Sequence, residues 1–392
     1  MRYRLHGGRL IRDGRIEQMD LLIENRTIQA LLSPDEHAPE DCQILDCTGC
    51  YVSPGFVDIH QHGGGGNDYM DDDPDAFFHA TEAHLAHGTT SVMPTLLSAN
   101  KEALLGAVAR YKQATRDRRI RANLLGIHIE GPYISAAQAG AQKPEHIRIF
   151  DEKEYGEIAA VAEGAVKRWS VAPEVEGAEK FAEFALKNGI TLSIAHSNAD
   201  LETVRKAYDW GFRHVTHLYS CTSSIVRVGG FRVPGVLEAA YLLDGMNVEV
   251  IADGCHLPHS LLAYVAKFKG HDRIALITDA MRAAGQDVTE SFLGSAEDPL
   301  PVVIEDGVAK LCDRSAFGGS IATADRLLAN MVAAGVSLPD AVDMLTANPL
   351  HMMGLTVKKG QLQVGYDADL CVFDEQYQIK TVLCGGKIVV QG

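Results

Sequence analysis

No stretch of this chain approaches the ~20 consecutive apolar residues that a membrane-spanning helix needs, so no membrane partner is expected. The opening residues, MRYRLHGGRLIRDG, lack the apolar core of a secretory signal. Basic residues are too few to balance the acidic ones: 36 Lys and Arg stand against 52 Asp and Glu, a formal charge of −16. A nucleic-acid partner demands clustered Lys and Arg, so none is expected. A small anionic substrate stays open, because a pocket can be locally positive in an acidic protein. Only eight cysteines occur in a chain this long, which argues against a disulfide framework and points to a reducing, cytoplasmic location. Internal repeats and low-complexity tracts are also absent.

What is present is an ordinary soluble composition, 46% hydrophobic and 22% charged, over 392 residues. At about 150 residues per domain that length suggests two or three units, or one barrel of about 250 residues with additions. Eight short apolar runs follow one another: Val57–His62, Ser91–Thr95, Leu124–Glu130, Trp169–Pro173, Leu192–His196, Val215–Leu218, Val248–Asp253 and Ile274–Asp279. Their continuous apolar character suits strands buried on both faces. Amphipathic stretches of helical length separate them: Asp75–His87, Lys101–Arg116, Glu152–Glu163, Ala178–Asn188, Leu201–Trp210, Val236–Leu243 and His259–Phe268. Ala322–Ala334 and Leu338–Thr346 would be the closing helices. This alternation predicts an α/β fold, a (β/α)8 TIM barrel over residues 54–356. Residues 1–53 and 357–392 read instead as short strands and turns, each too small for a good core alone, so the two ends are expected to pair as one small β domain.

Active sites of such barrels lie at the C-terminal ends of the strands. The first run ends in His60-Gln61-His62, the third in Glu130, the fifth in His196, the sixth in His217 and the eighth in Asp279. Residues two apart on a strand point the same way, so His60 and His62 aim together. Four imidazoles and two carboxylates therefore converge on one rim, and these are ligands for zinc or iron. Burying so many ionisable groups without a metal would be costly. Gly63–Gly66 lacks the following Gly-Lys-Ser/Thr of a phosphate loop and reads as a flexible turn. Asp71-Asp72-Asp73 reads as a solvated turn. Ser320 reads as the N-cap of the following helix.

The motifs PGFVDIHQHG, GIHIEGPY, AHSNA, THLYS, VEVIADGCH, ITDAM, FGGS and GYDADLCVF resemble, in order and over nearly the whole chain, those of the amidohydrolase superfamily. More closely they resemble its branch of amino-sugar-phosphate deacetylases. The resemblance implies one or two divalent metals per subunit, zinc or iron, with Glu130, His196 and His217 at the principal ion and His60 and His62 at a second. It implies that Asp279 is the catalytic acid/base and also touches a metal. Gln142 would sit near the substrate carbonyl, His256 would bind substrate, and Phe317 would line the acetyl pocket. Arg232, with Arg227 as the alternative, would reach a phosphate, across the interface of a homodimer. After His217 the branch usually reads Leu-Phe/Tyr-Asn-Ala-Met, whereas this chain has Leu218-Tyr219-Ser220-Cys221-Thr222 and a longer loop from Ser223 to Val233. Ser220 and Cys221 thus replace substrate-contacting positions. The implied reaction is hydrolysis of the acetamide of N-acetyl-D-glucosamine 6-phosphate to D-glucosamine 6-phosphate and acetate. Deacetylation of another N-acetylhexosamine phosphate or of an N-acyl amino acid is the alternative, and a non-catalytic binding protein of the same fold is the remote one.

Overall fold

The computed structural model describes residues 2–37, 39 and 41–392. Eight strands form the barrel: Phe56–Gln61, Thr89–Leu96, Ile127–Glu130, Val166–Val171, Thr191–Ile194, His214–Val215, Asn247–Ile251 and Ile274–Ile277. Each pairs in parallel with the next. The Asp279 N–H donates to the His60 carbonyl at 2.9 Å and ties the eighth strand back to the first. The nine expected helices all form, within two residues of the expected ends. Their starts are marked by side-chain caps, with Asn100, Asp151, Asp200 and Ser337 each accepting a backbone N–H of the first turn. Among the described residues no helix is long and apolar enough to cross a membrane.

The fourth strand starts at Val166, three residues before the expected Trp169. A charged residue, Arg168, hides its beginning from an apolar reading, yet Arg168 is fully buried inside the barrel. The two chain ends combine in a small β-sandwich. One sheet runs Thr27–Leu32, Asp20–Glu24, Arg2–His6, Gln43–Asp46. The other joins the ends directly, because Tyr51–Pro54 pairs antiparallel with Leu370–Phe373. Tyr3, Leu5, Leu21 and Ile23 share a buried core with Val52, Leu370 and Leu383. Neither end could bury these residues alone.

Three small additions lie outside the expected pattern. Glu290–Leu293, Leu300–Glu305 and Val308–Leu311 form a three-stranded antiparallel sheet after the eighth barrel strand. Its second turn is Asp306-Gly307, both with positive φ (55° and 77°), the form that suits a tight hairpin. Val226–Val228 and Phe231–Val233 form a hairpin around Gly229-Gly230. Residues 63–68 form a small hairpin of their own. The backbone N–H groups of Gly63, Gly65 and Gly66 are spent on the carbonyls of Ala280, Ala284 and Arg282, so this loop cannot cradle a phosphate. Asp71 departs from the solvated-turn reading: it is buried and ion-paired to Arg282 at 2.7 Å, while Asp72 and Asp73 are exposed. Ser320 is also placed differently: Thr323 is the N-cap of the next helix, and the Ser320 hydroxyl accepts from the Ala322 N–H.

Candidate active site

His60 lies within the first barrel strand, His62 follows its end, and Glu130 closes the third. His196, His217 and Asp279 each stand two residues beyond the ends of the fifth, sixth and eighth strands. These last three have φ of 45°, 30° and 47°. Non-glycine residues seldom adopt that region, and such strain concentrates at functional sites. Here it turns the chain sharply off each strand and lays the side chain over the barrel mouth.

The six side chains form two adjoining triplets of buried donors, His60/His62/Asp279 and Glu130/His196/His217. Glu130 Oε1 lies 2.9 Å from His217 Nε2 and 3.2 Å from His196 Nε2. Asp279 Oδ1 lies 3.1 Å from His62 Nε2 and 3.4 Å from His60 Nε2. Glu130 Oε2 is 3.4 Å from His62 Nε2, so the Glu130 carboxylate faces both triplets.

The other ring nitrogens are anchored. Nδ1 of His62 meets the Thr95 carbonyl, Nδ1 of His196 the Gln138 carbonyl and Nδ1 of His217 the Ser220 carbonyl. His60 Nδ1 meets Glu249 Oε2 at 3.2 Å. A carbonyl or carboxylate oxygen only accepts, so each proton belongs on Nδ1 and each Nε2 presents a lone pair to the cluster. Metal-ligating histidines are held in this way. His60 Nε2 is buried with no hydrogen-bond partner among the described residues, an orphan that a cation would satisfy.

The charges agree. Burial raises the Glu130 and Asp279 carboxyls, but His60 and the neighbouring imidazoles outweigh it and hold both below the usual carboxylate range. Burial lowers His62, but the Asp279 and Glu130 carboxylates outweigh it and raise the imidazole to about 10. The cluster thus draws positive charge, which a divalent cation can supply in place of protons. The residues fit a metal.

Above the cluster opens a cavity of about 270 Å³ lined by His62, Glu130, Gln142, His196, His217, Ser220, Cys221, His256, Asp279 and Phe317, among others. The structure therefore brings together every expected site residue except Arg227 and Arg232. Those two face each other on the exposed 226–233 hairpin and do not line the cavity of their own chain. His256 Nδ1 donates to Asp253 Oδ2 at 2.8 Å, and its ring packs on Phe317 with centroids 4.7 Å apart. Two of these residues make further contacts within the protein. Gln142 Oε1 accepts the Ser98 N–H and Gln142 Nε2 donates to Glu130 Oε2 at 3.0 Å, while the side chain also lines the cavity. The Ser220 carbonyl anchors His217.

The sequence reading missed Glu249 and Arg168, which sit below the cluster. The available signal was a charged residue inside an otherwise apolar strand, in VEVI and in KRWSV. It also missed Leu293, which the extra sheet carries to the cavity wall.

A (β/α)8 barrel with this donor set at its C-terminal rim has the architecture of a metal-dependent hydrolase. The model of the amidohydrolase family matches residues 51–389, and the chain belongs to that family. Within it, the chain is 32% identical over 379 residues to the N-acetylglucosamine-6-phosphate deacetylase of Lysinibacillus sphaericus, covering 96% of this chain and 95% of that one. It is 28% identical to the N-acetylgalactosamine-6-phosphate deacetylase of Escherichia coli O157:H7, with 97% of each covered. The structure of the N-acetyl-D-glucosamine-6-phosphate deacetylase of Mycobacterium smegmatis, solved as a mutant with N-acetyl-D-glucosamine-6-phosphate, superposes with a TM-score of 0.90 at 29% identity. That superposition covers 100% of this chain and 99% of that one.

Proposed function

We propose that this chain is an N-acetylglucosamine-6-phosphate deacetylase of amino-sugar catabolism, releasing acetate and D-glucosamine 6-phosphate. The observation that carries the reading is the pair of buried donor triplets sharing Glu130 at the floor of the cavity. Glu130, His196 and His217 would hold one divalent ion, and His60, His62 and Asp279 a second, zinc or ferrous iron. A metal held there would supply Lewis acidity and lower the pKa of water toward ~7.

Asp279 takes the proton of the attacking water as it adds to the acetyl carbonyl. It then passes that proton to the sugar nitrogen, because an amide anion is too poor a leaving group. With Nδ1 tied to Asp253, His256 offers Nε2 as an acceptor for a sugar hydroxyl. Phe317 covers the acetyl side. Gln142 holds Glu130 in place through its amide. Eight unpaired thiols suit a cytoplasmic location.

Among the described residues no Lys or Arg lines this cavity, so a phosphate there calls for a cation brought from outside its lining. The 226–233 hairpin exposes Arg227 and Arg232 beside Val226, Val228 and Phe231, the last 79% exposed. A homodimer in which each hairpin covers the partner's cavity supplies the missing charge and buries the apolar tip. A guanidinium binds phosphate through paired bonds that Lys does not reproduce. Arg232→Lys is expected to lower kcat/KM on the phosphorylated sugar about 10- to 100-fold, since such bonds contribute about 1.5–3 kcal/mol. The unphosphorylated sugar should change little. Equal losses on both substrates would show that Arg232 acts only in the fold of the hairpin.

The test of the function is acetate release from the gluco, galacto and manno epimers of N-acetylhexosamine 6-phosphate and from N-acetyl amino acids, with metal content measured on the same protein. The highest kcat/KM is expected on the gluco epimer. Faster turnover of the galacto epimer or of an amino acid would overturn the substrate, and a metal-free, inactive protein would overturn the enzyme.

A further inference from the structure

The interior of a barrel of this kind is ordinarily filled by layers of branched apolar side chains. Directly beneath His60 this barrel is polar. Arg168 on the fourth strand is ion-paired with Glu249 on the seventh, both about 1% exposed. Arg168 also donates to Ser193 Oγ at 3.0 Å and Thr216 Oγ1 at 2.9 Å. Glu249 uses one carboxylate oxygen for Arg168 and the other for His60 Nδ1.

Such a pair is a poor device for stability. Removing two ions from water costs several kcal/mol each, and well-packed apolar replacements are often neutral or stabilising. Its geometry serves another end. A carboxylate held by a guanidinium only accepts, so it fixes the proton of His60 on Nδ1 and aims the orphaned Nε2 at Asp279 and Glu130. The three other imidazoles are anchored by neutral backbone carbonyls. His60 alone has an anionic anchor, which makes it the strongest donor of the four.

We propose that Glu249, with Arg168 behind it, is a positioning residue that sets the tautomer and orientation of His60 and thereby the affinity of the His60/His62/Asp279 metal position. Its carboxylate belongs neither to the cavity lining nor to the Glu130/His196/His217 triplet. The proposal rests on the metal-dependent reading above.

Zinc binding to the metal-free full-length protein, followed by equilibrium dialysis and metal analysis, tests it. Wild-type protein is expected to take up two ions in two resolved steps. Glu249→Gln should weaken one step by about 10- to 100-fold, the usual effect of losing such a partner, and leave the other within about twofold. The double variant Arg168→Met/Glu249→Met removes both charges together and keeps the interior filled, so thermal stability should be near wild type. The weakened step should persist in it, because the anchor of His60 is still gone. In a His60→Gln background, Glu249→Gln should add no further loss. A stable double variant with both steps at wild-type affinity would overturn the proposal, as would equal weakening of both steps or a wild-type protein that saturates at one ion. A wild-type protein that binds no zinc would instead overturn the metal-dependent reading itself.

Discussion

Asp279→Asn is expected to lower kcat by roughly 10²- to 10⁴-fold, the contribution of a positioned general acid–base group. Asn keeps the size of the side chain and leaves untouched the backbone N–H that closes the barrel on the His60 carbonyl. It cannot accept the proton of the attacking water or return it to the sugar nitrogen. Asp279 lies at the floor of the cavity, 3.1 Å from His62 Nε2, so the change is local to the reacting end. Metal held by Glu130, His196 and His217 should remain, and metal analysis of the same preparation separates lost chemistry from a lost ion. Near-normal turnover in a fully loaded Asn variant would remove Asp279 from this role.

Glu130→Ala should be the most damaging single change. One oxygen of this carboxylate meets His196 and His217, and the other meets the Gln142 amide and faces His62. Its loss empties the principal position and weakens the adjoining one. It also leaves a buried amide without its acceptor, a cost of about 1–3 kcal/mol. Loss of Lewis-acid stabilisation worth several kcal/mol should lower kcat/KM by at least ~10³-fold. Metal content should fall well below that of Asp279→Asn. Retention of both ions by a folded Glu130→Ala protein would show that Glu130 is not shared between the two positions.

Much of this site was legible in the chain because its chemistry sits where strands end. His60-Gln61-His62 shows two imidazoles on one strand face, and Glu130, His196, His217 and Asp279 each close an apolar run. Residue type gives the donor atom, and alternation gives its direction. Gln142 shows the limit of this reading. Its type suits a contact to the substrate carbonyl and it lines the cavity, but no local pattern announces that its amide also joins the Ser98 N–H to Glu130. The two arginines show a limit at larger scale, since they are paired on an exposed hairpin outside the lining of their own cavity, and the sequence does not show which cavity they would reach.

The sequence by itself determined the alternation of strand and helix, the pairing of the chain ends and the six donors of the cluster. The strands, helices and donors follow from periodicity or side-chain chemistry within a few residues, and the pairing of the ends from the small size of each. Tertiary structure alone decided which ring nitrogen each imidazole presents, where the backbone enters the left-handed region and which carboxylate faces both triplets. It alone joined His60 to Glu249, residues 189 positions apart. A hydrogen bond over that separation has no local signature. It exists because closing the barrel places the first strand beside the eighth and the seventh within reach. In that interior a buried charge must find a partner, and no run of neighbouring residues specifies which one.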